Sequence, residues 1–386
     1  MSGKCLGKAL RFRDGAFKRI GRASPQHTFS SSAVCQKHGN SSSCINRYVT
    51  AANLKIGAVP KFAETSSPEL DAILSTYRLK VILPAHLSKQ QQDLIYKKKN
   101  QKVLSVEPIT ARIGDEDFRL EHIDRPSDLP NIHKDFIDTI KLMKDKRDWD
   151  QVPPLLQGLK NAGRDLKKRH IQGLFRKAAL AGRMDVMLEC VRRVAHTGIR
   201  LNDPDLVAAF MWGIQYKVIV SNFAERETKQ ALSWAEMVLV MLEEERHTGT
   251  LEGVDPRTVL EVVGAPLQLA AVRASRHLDG KDEDGIVAKY AEMLLRTSLN
   301  TQPPLLPSIP FTHRNKIWIR KIFPTLHGMT VAQTILDPTS EVAKQLKDTT
   351  DTLQASFDAQ LDFIKETGEG GTFWTEMYHK LMTEKA

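Results

Sequence analysis

The feature that most constrains this chain is a helix written more than once. WDQVPPLLQGLKNAG, Trp149 to Gly163, is followed thirty-five residues later by MDVMLECVRRVAHTG, Met184 to Gly198, and then by AEMVLVMLEEERHTG, which ends at Gly249. Asp150, Asp185 and Glu236 each stand thirteen residues ahead of Gly163, Gly198 and Gly249. An acid suits the first turn of a helix and a glycine its left-handed end, so each copy is predicted to be a capped helix of about three turns. LKKRHIQGLFRKAALAG after the first glycine and NDPDLVAAFMWGIQYKV after the second supply partner helices, the latter capped by Asp203 or Asn202 with Pro204 at its first position. One helical hairpin cannot bury its own apolar face. Hairpins that recur therefore stack, and the predicted fold class is all-α, a degenerate helical-hairpin solenoid.

GIRLNDPDLVAAFMWGI, with a glycine closing one helix and a Pro-Asp step opening the next, resembles pentatricopeptide repeats. The 35-residue step from Gly163 to Gly198 fits that family's unit, whereas the 51-residue step to Gly249 departs from it, with the excess around VIVSNFAERETKQALS. The resemblance covers residues 134–250. It implies a PPR-like solenoid and a place in organellar RNA processing, stability or translation.

Outside the repeats, SPELDAILSTYRL reads as a helix from near Ser67 that Pro84 ends, and HLSKQQQDLIYKKKN as a short helix closing on Lys97, Lys98 and Lys99. Three lysines at a helix C-terminus satisfy the dipole and also suit phosphate contacts. The stretch from Lys102 to Asn131 reads as a connector holding at most a small hairpin. PRTVLEVVGAPLQLAAVRASRHLDG divides into one helix ending at Gly264 and another starting at Pro266, and DEDGIVAKYAEMLLRTSLN is a further helix. In IPFTHRNKIWIRKIFP, Arg314, Lys316, Arg320 and Lys321 interleave with Trp318 and Phe323. The cations suit RNA phosphates while the aromatic rings dock on a partner or stack on bases; equally, the apolar members pack into the body. A long helix follows from about Thr339 to Glu366, and a short terminal one offers Phe373 and Trp374 to a partner. The expected divisions are 1–45, 46–133 (extended and short-helical), 134–250 (repeats), 251–300 (continuing helical body), 301–338 (Pro-rich basic and aromatic connector) and 339–386 (C-terminal helices).

Charge is unevenly spread. The net charge is +10, and residues 1–38 carry +7 of it, with eight basic residues and one acid, Asp14. That segment is also serine-rich, and Leu6, Leu10, Phe17 and Ile20 can form an apolar helix face, the composition of a mitochondrial targeting peptide cleaved between about Phe29 and Asn46. Localisation in the mitochondrial matrix follows. Cys5, Cys35 and Cys44 precede the body and Cys190 lies in an apolar run, which gives neither a disulfide framework nor metal-ligand spacing. No apolar run is long enough to span a membrane.

Chemistry finds no foothold. No glycine-rich stretch has the lysine and hydroxyl placement of a phosphate loop. His170 with Asp165 reads as a helix-end residue in a basic turn, HLDGKDEDG lacks the ligand alternation of a calcium loop, and Glu243 to Arg246 has no histidine at metal spacing. Cys190 is expected to be buried and unreactive. No enzyme, cofactor, metal or small-molecule substrate is therefore expected. The address, the helical scaffold and the proline-bounded basic segment are together similar to fungal mitochondrion-specific ribosomal proteins. That resemblance implies a structural constituent of the mitochondrial ribosome, the large subunit slightly preferred, whose partners are ribosomal proteins and ribosomal RNA. The RNA-contact candidates are Lys97, Lys98, Lys99, Lys167, Lys168, Arg169, Arg314, Lys316, Arg320 and Lys321; the partner-contact candidates are Trp318, Phe323, Phe373 and Trp374. A transcript-specific RNA-binding or translation factor and a respiratory-complex assembly factor are the alternatives. The apolar character of HIQGLFRKAALAG and DLVAAFMWGIQ favours protein-facing packing over RNA reading.

Overall fold

The computed structural model describes residues 48–50, 58–248, 253–282, 284–297 and 312–366. Internal contacts divide the chain into Met1–Ile45 and Asn46–Ala386, and every described residue belongs to the second unit. That unit is mostly helical, with one small sheet.

Helix α1 (Pro68–Thr76) has proline at its first position and runs on through a π-helical turn, Tyr77–Ile82, into a 3-10 turn, Leu83–His86, that contains Pro84. Helix α2 (Lys89–Tyr96) opens on a capping box. The Gln91 amide donates to Ser88 Oγ at 3.3 Å, and Gln91 Oε1 accepts from the Ser88 amide at 2.9 Å. After α3 (Gln101–Val106) the chain forms the small hairpin. Its strands pair antiparallel with Ala111 opposite Phe118, across a Gly114–Asp115 turn that needs positive φ at Gly114 (+61°). The third strand, Tyr48–Thr50, lies in the segment expected to be extended and pairs parallel to Thr110–Arg112.

The region expected to hold repeats has α4 (Ile132–Leu142) and α5 (Val152–Asn161), followed by α6 (Lys168–Leu180) and α7 (Met184–Arg192). Gly163 closes α5 with φ +64°: its amide donates to Lys160 O and the Arg164 amide to Leu159 O, both at 2.9 Å, a Schellman motif. Gly198, at φ +76°, closes the single turn Val194–Thr197 that extends α7. The two repeated acids share one partner, since Arg183 reaches Asp150 at 2.9 Å and Asp185 at 3.0 Å. The third copy does not follow this pattern. Glu236 lies well inside α9 (Glu225–Met241), where it accepts from the Tyr290 hydroxyl at 3.0 Å, and Gly249 lies outside the described residues. The segment around Val218 to Ser233 that broke the period is absorbed by the ends of α8 (Pro204–Val220) and α9.

Helix α8 is apolar nearly all round and correspondingly buried, as a central helix must be. It packs against α6 on one side and α10 (Leu260–His277) on the other, and α12 (Thr312–Ile335) packs in turn on α10. Their partners α9, α11 (Ile286–Arg296) and α13 (Glu341–Glu366) pack on α8, α10 and α12 respectively. Two expectations are corrected here. The chain does not break at Gly264 and Pro266: α10 is continuous, and its glycine serves a close crossing, because a Cβ on Gly264 would stand 2.3 Å from the Thr325 side chain. Four residues on, Gln268 meets Gly328, whose Cβ would lie 2.5 Å from the Gln268 Cα. The segment read as a proline-rich connector is helical from Thr312, with Pro324 inside α12, since its apolar residues face the body. At this crossing Gln215 donates to Gln268 Oε1 at 2.9 Å and Gln268 Nε2 bonds His327 Nδ1 at 3.2 Å, which joins α8, α10 and α12 through one buried polar line.

Candidate nucleic-acid interface

Lys167 is the exposed residue ahead of α6, and Lys168 bridges Asp203 and Asp205, each at 2.8 Å. Arg169 is exposed one residue on, its Nε 3.4 Å from His170 Nε2. From α12, Lys321 reaches the other oxygen of Asp205 at 2.8 Å, and the Arg320 guanidinium lies 5.4 Å from the Trp212 ring centre. Two clusters about 150 residues apart in sequence thus meet at α8. Hydrogen bonds from Lys168 and Lys321 hold the Asp205 carboxyl at about 2, so it is ionised and already doubly engaged.

Between α6, α8 and α12 lies a cavity of about 400 Å³. Arg169, Gln172, Gly173 and Arg176 supply its α6 wall at the i, i+3, i+4, i+7 spacing of one helix face. Asp205, Ala208, Ala209 and Trp212 supply the α8 wall at the same spacing. Arg320 and Lys321 close the third side. Burial lowers the Arg320 pKa and the charge of Arg176 adds to the effect. Gly173, Arg176 and Trp212 were not singled out in the sequence, although the spacing of Arg169, Gly173 and Arg176 on a predicted helix was a usable signal.

The remaining candidates are placed elsewhere. Lys97 pairs with Asp93 at 2.7 Å, Lys98 and Lys99 are exposed in the turn that follows, and none of the three lines the cavity. Arg314 and Lys316 lie on the first turns of α12. Trp318 and Phe323 are in the chain's own core: Trp318 packs 6.1 Å from Phe357, and Phe323 is fully buried. The apolar face of α12 is what covers α10, so these two rings are spent on the body. Phe373 and Trp374 lie outside the described residues.

The groups set aside as chemistry have structural roles. Cys190 is buried, and burial pushes its thiol up to about 12. Asp282, in the acidic turn, caps α11 by accepting from the Val287 and Ala288 amides at 3.0 and 2.9 Å. His170 stacks on His133 with ring centres 4.8 Å apart. Among the described residues no cluster of His, Cys, Asp and Glu could hold a metal ion, and no helix is long and apolar enough to cross a membrane.

The sequence is 32% identical over 256 residues to the small ribosomal subunit protein mS27 of Neurospora crassa, which spans 62% of this chain and 65% of that relative. That relative's name overturns the preference for the large subunit, which rested on no residue. Residues 47–380 match the family described as mitochondrial ribosomal protein mS27. With the match running through the sheet, the central helices and the cavity alike, the chain belongs to the mitochondrial ribosomal protein mS27 family.

Proposed function

We propose that this chain is a structural constituent of the small subunit of the mitochondrial ribosome, working in the matrix and bracing neighbouring proteins while its basic edges contact ribosomal RNA. The single observation that carries the proposal is the family match over residues 47–380. The contacts with RNA fall at Lys97 to Lys99, at Lys167 to Arg169 and at Arg314 to Lys321, and Phe373 and Trp374 are the candidates for contact with a protein neighbour. In support, α6 contacts α7, α8 contacts α9 and α10 contacts α11, as stacked hairpins of a degenerate PPR-like solenoid would, and the apolar α8 is buried in packing, which would leave RNA to the rims. Residues 1–45 act as the targeting peptide.

Sedimentation of mitochondrial extract tests this. The native protein should comigrate with the small subunit at near-equal stoichiometry and should persist at moderately raised salt, because protein contacts outlast phosphate contacts as salt rises. Recovery in light fractions, or loss at the first rise in salt, would mark a transcript-specific factor instead. Comigration with a membrane-complex precursor would mark an assembly factor.

A further inference from the structure

The cavity between α6, α8 and α12 has more positive charge than its own carboxylate answers. Asp205 is engaged by Lys168 and Lys321, which leaves Arg169, Arg176 and Arg320 without an ion-pair partner among the described residues. Arg320 is half-buried, so its guanidinium has given up part of its water while facing a second guanidinium. The Trp212 ring answers the Arg320 charge on one side, 5.4 Å away, and Arg169 and Arg176 reach solvent, so an anion entering between the three guanidinium groups meets charge with no carboxylate to displace.

Gly173 supplies a second, independent observation. It sits in the middle of α6 in helical conformation, where glycine is the least favoured residue after proline. The other helix-interior glycines described, Gly158, Gly213, Gly264 and Gly328, each have a neighbour within 3 Å of where a Cβ would stand. At Gly173 nothing lies within 4 Å. The missing side chain makes room for no part of this chain; it opens the cavity.

We propose that this cavity seats one unpaired nucleotide of RNA, its phosphate held among Arg169, Arg176 and Arg320 and its base or sugar lying over Gly173. Guanidinium forks match phosphate oxygens in pairs, and three of them around one space suit the several oxygens of a phosphodiester better than a single carboxylate. The volume, about 400 Å³, is within the range of small-ligand sites. The seat is closed on three sides, which admits an unstacked nucleotide and excludes a duplex. The inference rests on the proposed contact with RNA, but its test needs no ribosome.

The test measures binding of the full-length protein to a fluorescent single-stranded octauridylate, with an RNA duplex of equal length and polyglutamate as competitors. Arg176→Gln, Arg320→Gln and Gly173→Glu should each weaken binding by at least about tenfold, the worth of a charge-assisted contact. Lys177→Gln removes the same charge one residue from Arg176, on an exposed side chain outside the cavity, and should change binding by less than about threefold. Gly173→Glu should melt no lower than the parent, which separates a filled cavity from a damaged fold. Equal losses at Arg176 and Lys177 would overturn the seat in favour of a diffuse basic surface. Polyglutamate displacing the oligonucleotide as well as RNA does at equal charge would overturn it in favour of an acidic peptide. A chain that binds as predicted yet is absent from the small subunit leaves the seat standing and defeats the proposed function. A chain that comigrates with the subunit but shows no difference between Arg176 and Lys177 defeats the seat alone.

Discussion

At the scale of single residues, two glycines in this chain do opposite things. Gly198 has φ +76° and the Lys160 side chain 3.3 Å from a Cβ position, so Gly198→Val should destabilise the body by about 1 kcal/mol or more, read as a lower midpoint in urea. Gly173 has helical φ and open space, so Gly173→Ala should stabilise it by about 1 kcal/mol in the same assay. A pair of changes with opposite signs at two glycines is a stronger check than either alone, because a general intolerance of substitution would move both the same way. The first was legible in the sequence: Gly163 and Gly198 at the ends of similar apolar runs carried their conformation in their spacing. The role of Gly173 was not, since an open cavity depends on what α8 and α12 place opposite it.

Among the elements, the helices with strong caps were legible and the crossings between them were not. Ser88, Asp203 and the Schellman glycine Gly163 announce where α2, α8 and α5 begin or end, because capping is settled within a few residues of chain. Gly264 and Pro266 look like a break for the same local reasons. Yet α10 runs through both, and what decides the matter is α12, which lies across it some sixty residues later in sequence. The third repeat misled in a related way. A thirteen-residue acid-to-glycine spacing recurs by chance in a helical protein, and Glu236 is held by Tyr290 rather than by a helix start. The crossing itself predicts an outcome. A methyl group at Gly328 would meet the Gln268 backbone at 2.5 to 2.8 Å, and backbone cannot swing aside as a side chain can. Gly328→Ala should therefore destabilise by about 2 kcal/mol or more in urea titration. Gly264→Ala, which meets only the Thr325 side chain, should cost less.

For the whole molecule, the polar line through Gln215, Gln268 and His327 ties α8 and α10 to α12, and its chemistry sets how the body answers acid. Gln268 gives its carbonyl oxygen to Gln215, so its amide nitrogen faces His327 as a donor and His327 Nδ1 must accept, which requires the neutral ring. Burial, with the charge of Arg276 behind it, pushes His327 down to about 4. An unfolded histidine takes its proton near pH 6.5, so between about pH 6.5 and 4 the unfolded chain binds a proton that the folded chain refuses, and stability must fall as pH falls through that window. Asp148 acts lower. Burial works to raise its pKa, but hydrogen bonds from the Asp145, Ser66 and Lys144 amides and the Ser66 hydroxyl outweigh it and hold the carboxyl at about 2. Its contribution is intact above about pH 4 and is lost on the way down to 2. The two groups thus predict two separate steps in a plot of unfolding free energy against pH. His327→Gln should flatten the upper step and leave the lower one. Asp148→Asn should remove part of the lower step and leave the upper one. His170 and His247, both lowered chiefly by burial, keep the upper step from vanishing entirely in the His327 variant. If that variant instead kept the full slope between pH 6.5 and 4, the junction of α8, α10 and α12 would not be where acid opens this body.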